Sequence, residues 1–165
     1  MNSDYDYGDA VENQLERWIA KGLLDNVGLP ATSDRASVAV FNDEVNLDNI
    51  QPEALESYAK SWLDINCAHC HSPGGKASNT NMFVEYTRPF TDRTGHGVCA
   101  DPVSGAGAGY QYIIDPGNSA KSLMFYRMST QDSGDRMPPL GRDLIHKEGL
   151  ALVEKWIDSL GGNCQ

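Results

Sequence analysis

Positive charge is scarce in this chain. Lys and Arg number 13 against 23 Asp and Glu, leaving a net charge of −10. A nucleic-acid backbone needs a basic face, so this balance argues against binding one. No apolar run approaches the roughly 18 residues of a membrane span. The longest candidates, such as Ala36–Phe41, are far too short. Neither a repeat of solenoid period, a P-loop nor a Ser-His-Asp set occurs. Met1–Gly8 is polar, with no basic and then apolar region, so no secretory signal is expected within this chain. Cysteines are few as well, at four. Two of them share one tight motif, and two stand far apart.

What is present describes a globular protein. Apolar residues make up 40% of 165 positions and charged residues 22%. That length suits one domain with an extension and buries a sizeable core without staples. Asp9 with Glu12 has the form of a capping box, and Val11, Leu15, Trp18, Ile19 and Leu23 follow at helical spacing. A long connection with a short apolar run at Val38–Phe41 leads to Pro52, well placed for the first turn of a second helix. Leu55, Tyr58, Ala59, Trp62 and Leu63 form its stripe. Loops then dominate, with a short strand expected over Tyr110–Ile114. Ser119 is expected to cap a third helix, and a last helix is expected from near His146 to Gly161. The expected fold is all-α, a helical domain with long loops and minor β. Residues 1–50 would be an N-terminal helix and connection packed on a main domain of residues 51–165. Asp4, Asp6 and Asp9 are spaced like calcium ligands, but no EF-hand loop completes them, so they read as solvated.

The chemistry concentrates in Cys67-Ala68-His69-Cys70-His71, which fits C-x-x-C-H. Cysteines three apart on a helical turn project to one side, where each thiol can join one vinyl group of a haem. The next residue, His71, is then carried under the ring, where its Nε2 can bind iron. Its Nδ1–H needs an acceptor, sought in the loop from Pro73 onward. Two other uses of the pair compete. Cys67, Cys70, His96 and Cys99 could form a Cys₃His zinc site. A thioredoxin-like dithiol would want a β-α-β context, whereas a helix precedes this motif.

A second axial ligand would come from Met82, Met124, Met128, Met137, His69, His96 or His146. Helical methionines are more often core packing. Met137 sits in a loop and is followed by Pro138 and Pro139, which stiffen the backbone around it. It is therefore the preferred ligand. Arg127, Arg136 and Arg142 lie near enough in sequence to pair with a haem propionate, though each is more often a solvated charge. Trp62 and Trp156 read as core between crossing helices, and Trp18 as an anchor for the N-terminal helix.

The order of helix, CAHCH, long loop, MPPLG and closing helix with Trp156 resembles a class I c-type cytochrome domain over Gln51–Leu160. More narrowly, YDYGDAVENQL, LDINCAHCHSPGG, GVC, IIDPGNSAKSLMFYRM and MPPLGRDLIHKEG resemble the terminal domain of a bacterial multidomain c-type cytochrome family. The resemblance implies a cytochrome c-like fold, covalent haem c on Cys67 and Cys70, iron ligation by His71 and Met137, and electron transfer. Members of that family are sometimes dihaem, whereas this chain has one C-x-x-C-H and so one expected haem. Redox proteins would dock transiently near the haem edge. A haem with an open distal position, as in a sensor or redox enzyme, and a zinc-stabilised module are the alternatives. Haem c is attached outside the cytoplasm, so a periplasmic or extracellular location is expected, with the export signal removed or upstream. With Cys67 and Cys70 on haem in an oxidising compartment, Cys99 and Cys164 are expected to form a disulfide.

Overall fold

The structure is a computed structural model that describes residues 3–26, 31, 35–36, 47–104 and 109–164. The expected apolar run at Val38–Phe41, and most of the connecting segment around it, lie outside the described residues.

The expectation of an all-α, cytochrome c-like domain is overturned. The described residues form four α-helices together with a two-stranded antiparallel sheet, a small mixed α/β arrangement. Strand β1 (Asp4–Asp6) pairs with β2 (Val11–Asn13), Tyr5 facing Glu12. The capping box expected at Asp9 does not form. Gly8 takes φ +82°, its N–H donates to the Asp6 carboxylate at 2.8 Å, and Tyr7 N–H donates to Ala10 carbonyl. A glycine at positive φ beside an aspartate that caps its own turn makes a hairpin. Helix α1 (Gln14–Ala20) therefore begins five residues after Asp9. Its cap is Asn13, whose side chain accepts from the Leu15 and Glu16 N–H groups. Gly22, at φ +68°, closes it. Asp9 instead pairs with Arg17 at 3.0 Å.

The core lies in the rest of the chain. Helix α2 (Pro52–Leu63) starts with Pro52, which lacks the N–H that a first turn leaves unsatisfied. Helix α4 (Lys147–Ser159) crosses it. Leu55, Ala59 and Leu63 meet Leu152, Val153, Trp156 and Ile157, all buried. The i, i+4 spacing puts each set on one helix face. The crossing is close at one point. A Cβ on Gly149 would sit 2.3 Å from the Trp62 Nε1, so only glycine fits there. Trp62 in turn donates from Nε1 to His146 Nδ1 at 3.1 Å and stacks on that ring.

Helix α3 (Leu123–Ser129) completes the layer with Met124 and Met128 in the core. Its expected cap, Ser119, opens a short 3-10 turn instead. Ser122 precedes α3, and its hydroxyl is used on the Asn118 carbonyl at 3.0 Å. No ladder forms over Tyr110–Ile114. The stretch makes two isolated parallel bridges, Val98 to Ile114 and Tyr112 to Ser122. Cys99 and Cys164 are joined by a disulfide that ties this loop layer to the end of α4. Cys99 holds φ 56°, a left-handed conformation costly for a residue with a Cβ. Its N–H bond to Ile114 carbonyl, at 2.9 Å, and the disulfide both hold it there.

Candidate functional site

Helix α2 does not stop at Leu63. Its last turn widens into a π-helical turn over Asp64–Ala68, which carries the chain straight into the motif. Wide turns of this kind recur at functional sites because they re-aim side chains. Cys67 carbonyl then accepts from both Cys70 N–H at 3.0 Å and His71 N–H at 2.9 Å. Cys67 and Cys70 thus stand one turn apart, and both are free thiols. Burial pushes the Cys67 thiol up to about 12, with the Cys70 charge adding to it. A thioredoxin-type nucleophile needs the opposite shift.

The loop after the motif folds back onto it. Ala77 N–H donates to Cys70 carbonyl at 3.0 Å, and Val84 N–H to His71 carbonyl at 3.0 Å. Gly75 passes so near that an added Cβ would lie 2.1 Å from the Cys70 carbonyl oxygen. The Thr80 hydroxyl reaches His71 Nδ1 at 3.2 Å. Burial holds the His71 imidazole below its ordinary value, partly opposed by Met82 carbonyl. With Nδ1 engaged by Thr80, Nε2 on the far side of the ring is the nitrogen left for a metal.

The methionine loop is built around an arginine. Met137 N–H donates to Arg127 carbonyl at 2.8 Å. Arg142 Nη1 donates to Met128 carbonyl at 2.9 Å and to Arg127 carbonyl at 3.4 Å. The same guanidinium also donates to the carbonyls of Met137 and Thr130. One side chain thus satisfies the open C-terminal end of α3 and holds Met137 against it. Arg127 is near enough to His71 for its charge to lower the imidazole pKa.

Of the other candidate axial ligands, His69 is exposed and the rest lie in the core or at α4. Met82, Met124 and Met128 are buried in the core. His96 is 2% exposed and packs on Phe90. His146 precedes α4 and accepts from Trp62. The four residues of the zinc set are not brought together. Cys99 is in the disulfide, and among the described residues no three His, Cys, Asp or Glu side chains gather to hold a metal.

A covalent haem would need free thiols, a histidine nitrogen and partners for its propionates. Both thiols are unpaired, and His71 keeps a nitrogen open. Arg136 Nε is buried without a hydrogen-bond partner among the described residues, an orphan that a propionate would satisfy. Leu140 and Leu144 are 84% and 80% exposed, apolar surface beside the methionine loop. These residues fit the group.

No family model matches the chain, and no curated protein or solved structure is similar enough to count as a match.

The sequence pattern singles out the motif and Met137 but neither Thr80 nor the backbone carbonyls that Arg142 gathers. Nothing in the pattern distinguishes Thr80 from the other polar residues of its loop. In the sequence Arg142 reads only as a propionate partner, because its four carbonyl acceptors come together only in space.

Proposed function

We propose that this chain is a mono-haem c-type electron carrier, or the electron-transfer domain of a larger redox protein. Cys67 and Cys70 would hold the haem through thioethers, and His71 and Met137 would ligate its iron. One observation supports this above the others. His71, with its Nδ1 bonded to Thr80 and its Nε2 on the other side of the ring, directly follows two unpaired cysteines. Bound haem supplies reversible one-electron chemistry. The chain's own residues do the rest. Thr80 and the Val84 bond hold the histidine. Arg142 holds the loop that offers a thioether sulfur. Arg136 is placed to neutralise a propionate. Methionine as second ligand sets a higher potential than a second histidine would. The acidic chain favours a redox partner with a basic docking face. A periplasmic or extracellular site of action belongs to the same proposal, since thioether attachment and the Cys99–Cys164 bridge both belong to oxidising compartments.

The test is spectroscopic. The purified protein is expected to show a low-spin haem c spectrum with a thioether–ferric charge-transfer band. Met137→Ala should keep the haem attached, lose that band and bind carbon monoxide quickly when reduced. A colourless protein would refute the proposal. An unchanged spectrum in Met137→Ala would remove Met137 from the ligand set.

A further inference from the structure

Between the motif and Val84 the chain turns back twice on itself. Ala77 N–H reaches Cys70 carbonyl at 3.0 Å, and Thr80 N–H reaches Ala77 carbonyl at 3.0 Å. These two bonds bring Thr80 beside the histidine, with Oγ1 3.2 Å from His71 Nδ1. A hydroxyl has a single proton. Oγ1 lies 2.7 Å from Ala77 carbonyl and 3.4 Å from Met82 carbonyl, so that proton is committed to Ala77. Only a lone pair then faces the imidazole. A neutral imidazole also has a single N–H. Nδ1 must carry it and donate, which leaves the lone pair on Nε2.

We propose that Thr80 is a positioning residue for His71, whose hydroxyl fixes the tautomer and rotation of the ring and so presents Nε2 to the haem iron. The inference rests on the haem reading above. It also carries a consequence for tuning. The hydroxyl that accepts from His71 itself donates to Ala77, and each bond of such a chain polarises the next. A well-accepted Nδ1–H makes the imidazole a better donor to iron. Thr80 therefore favours the ferric state and lowers the potential. The competitor is the Met82 carbonyl, close enough to the ring to favour its protonated form.

Haem-loaded full-length protein is compared with Thr80→Val, which keeps the shape without the hydroxyl, and Thr80→Ser, which keeps the hydroxyl. In the reduced state the His71 Nδ1–H signal reports solvent exchange, and a titration reports the midpoint potential. Thr80→Val should speed the exchange at least about fivefold, the equivalent of one hydrogen bond of ~1 kcal/mol, and raise the potential. Thr80→Ser should restore both. If Thr80→Val changes neither, Met82 carbonyl holds the proton and the proposal is overturned. Failure of Thr80→Ser to restore either also overturns it, since the effect is then one of packing. Should the wild-type chain carry no haem, the haem reading fails separately. Imidazole nitrogen shifts of the same chain still test Thr80: a single Nδ1–H tautomer that becomes mixed in Thr80→Val supports it, and one that persists in Thr80→Val refutes it.

Discussion

The two sides of the candidate haem site are built differently. The histidine side is backbone on backbone. The loop from Ser72 to Val84 binds the motif through Ala77 and Val84, with Gly75 pressed against the Cys70 carbonyl. The methionine side hangs on a side chain. Arg142 gathers the carbonyls of Arg127, Met128, Thr130 and Met137. Leu140 and Leu144 of the same loop stand exposed. A ligand held by the main chain resists single substitutions outside a few tight contacts. A ligand held by one guanidinium is released by one. On the proposed ligation, the strong ligand would sit on the rigid side and the weak thioether on the side that can let go.

The largest effect should fall on both sides alike. Replacing Cys99 and Cys164 by alanine opens a link between positions 65 apart in sequence. The chain-entropy account puts the loss at about 4 kcal/mol. Denaturant unfolding should show it, with the haem spectrum of the folded protein unchanged. A changed spectrum would mean that the bridge shapes the site, and the contrast would need another origin.

Gly75→Ala attacks the histidine side. Its Cβ meets backbone that cannot rotate away, at 2.1 Å from the Cys70 oxygen and 2.7 Å from the Cys70 carbonyl carbon. A loss of about 3 kcal/mol is expected from such overpacking, along with a fall in the fraction of chains carrying covalent haem. Pigment per mole of protein and the unfolding midpoint measure the two. Arg142→Met attacks the methionine side and should cost less, about 2 kcal/mol for charged hydrogen bonds lost at a partly exposed site. Covalent haem should remain at wild-type levels while the thioether band weakens. If Arg142→Met instead lost haem and Gly75→Ala kept it, the contrast between the sides would be reversed.

The smallest effect concerns pH. Burial holds the His96 imidazole below its ordinary 6.5, and the charge of Lys60 pushes the same way. The unfolded chain therefore takes up this proton at a higher pH than the folded one. The stability His96 contributes is present above about pH 6.5 and is lost as pH falls through the lower folded value. Unfolding midpoints across that window should slope in the wild type and flatten in His96→Phe. Neither side of the site should respond, because His96 packs on Phe90 and not on the motif.

Much of the main domain could be read in the sequence. Pro52 marked α2, the α2 stripe named Leu55 and Leu63, and Trp156 read as core, because periodic burial is local information. The fold class could not be read in this way. Asp9 and Glu12 have the form of a capping box, but in the structure Asp6 and Gly8 form a turn. Turn chemistry prevailed, since Gly8 reaches a positive φ without steric cost. At the site, Cys67, Cys70 and His71 were legible as a spacing, and Met137 as a stiffened loop. Thr80 and Arg142 were not, because their partners lie 9 residues away for His71 and 12 to 15 for the carbonyls that close α3. No period links such residues.

The mass of the intact, denatured and unreduced chain tests the central claim most directly. One haem should remain bound through the denaturation and through acid–organic extraction, with no thiol open to alkylation: two would be in thioethers and two in the disulfide. A mass equal to the polypeptide alone, with Cys67 and Cys70 both alkylated, would contradict the account.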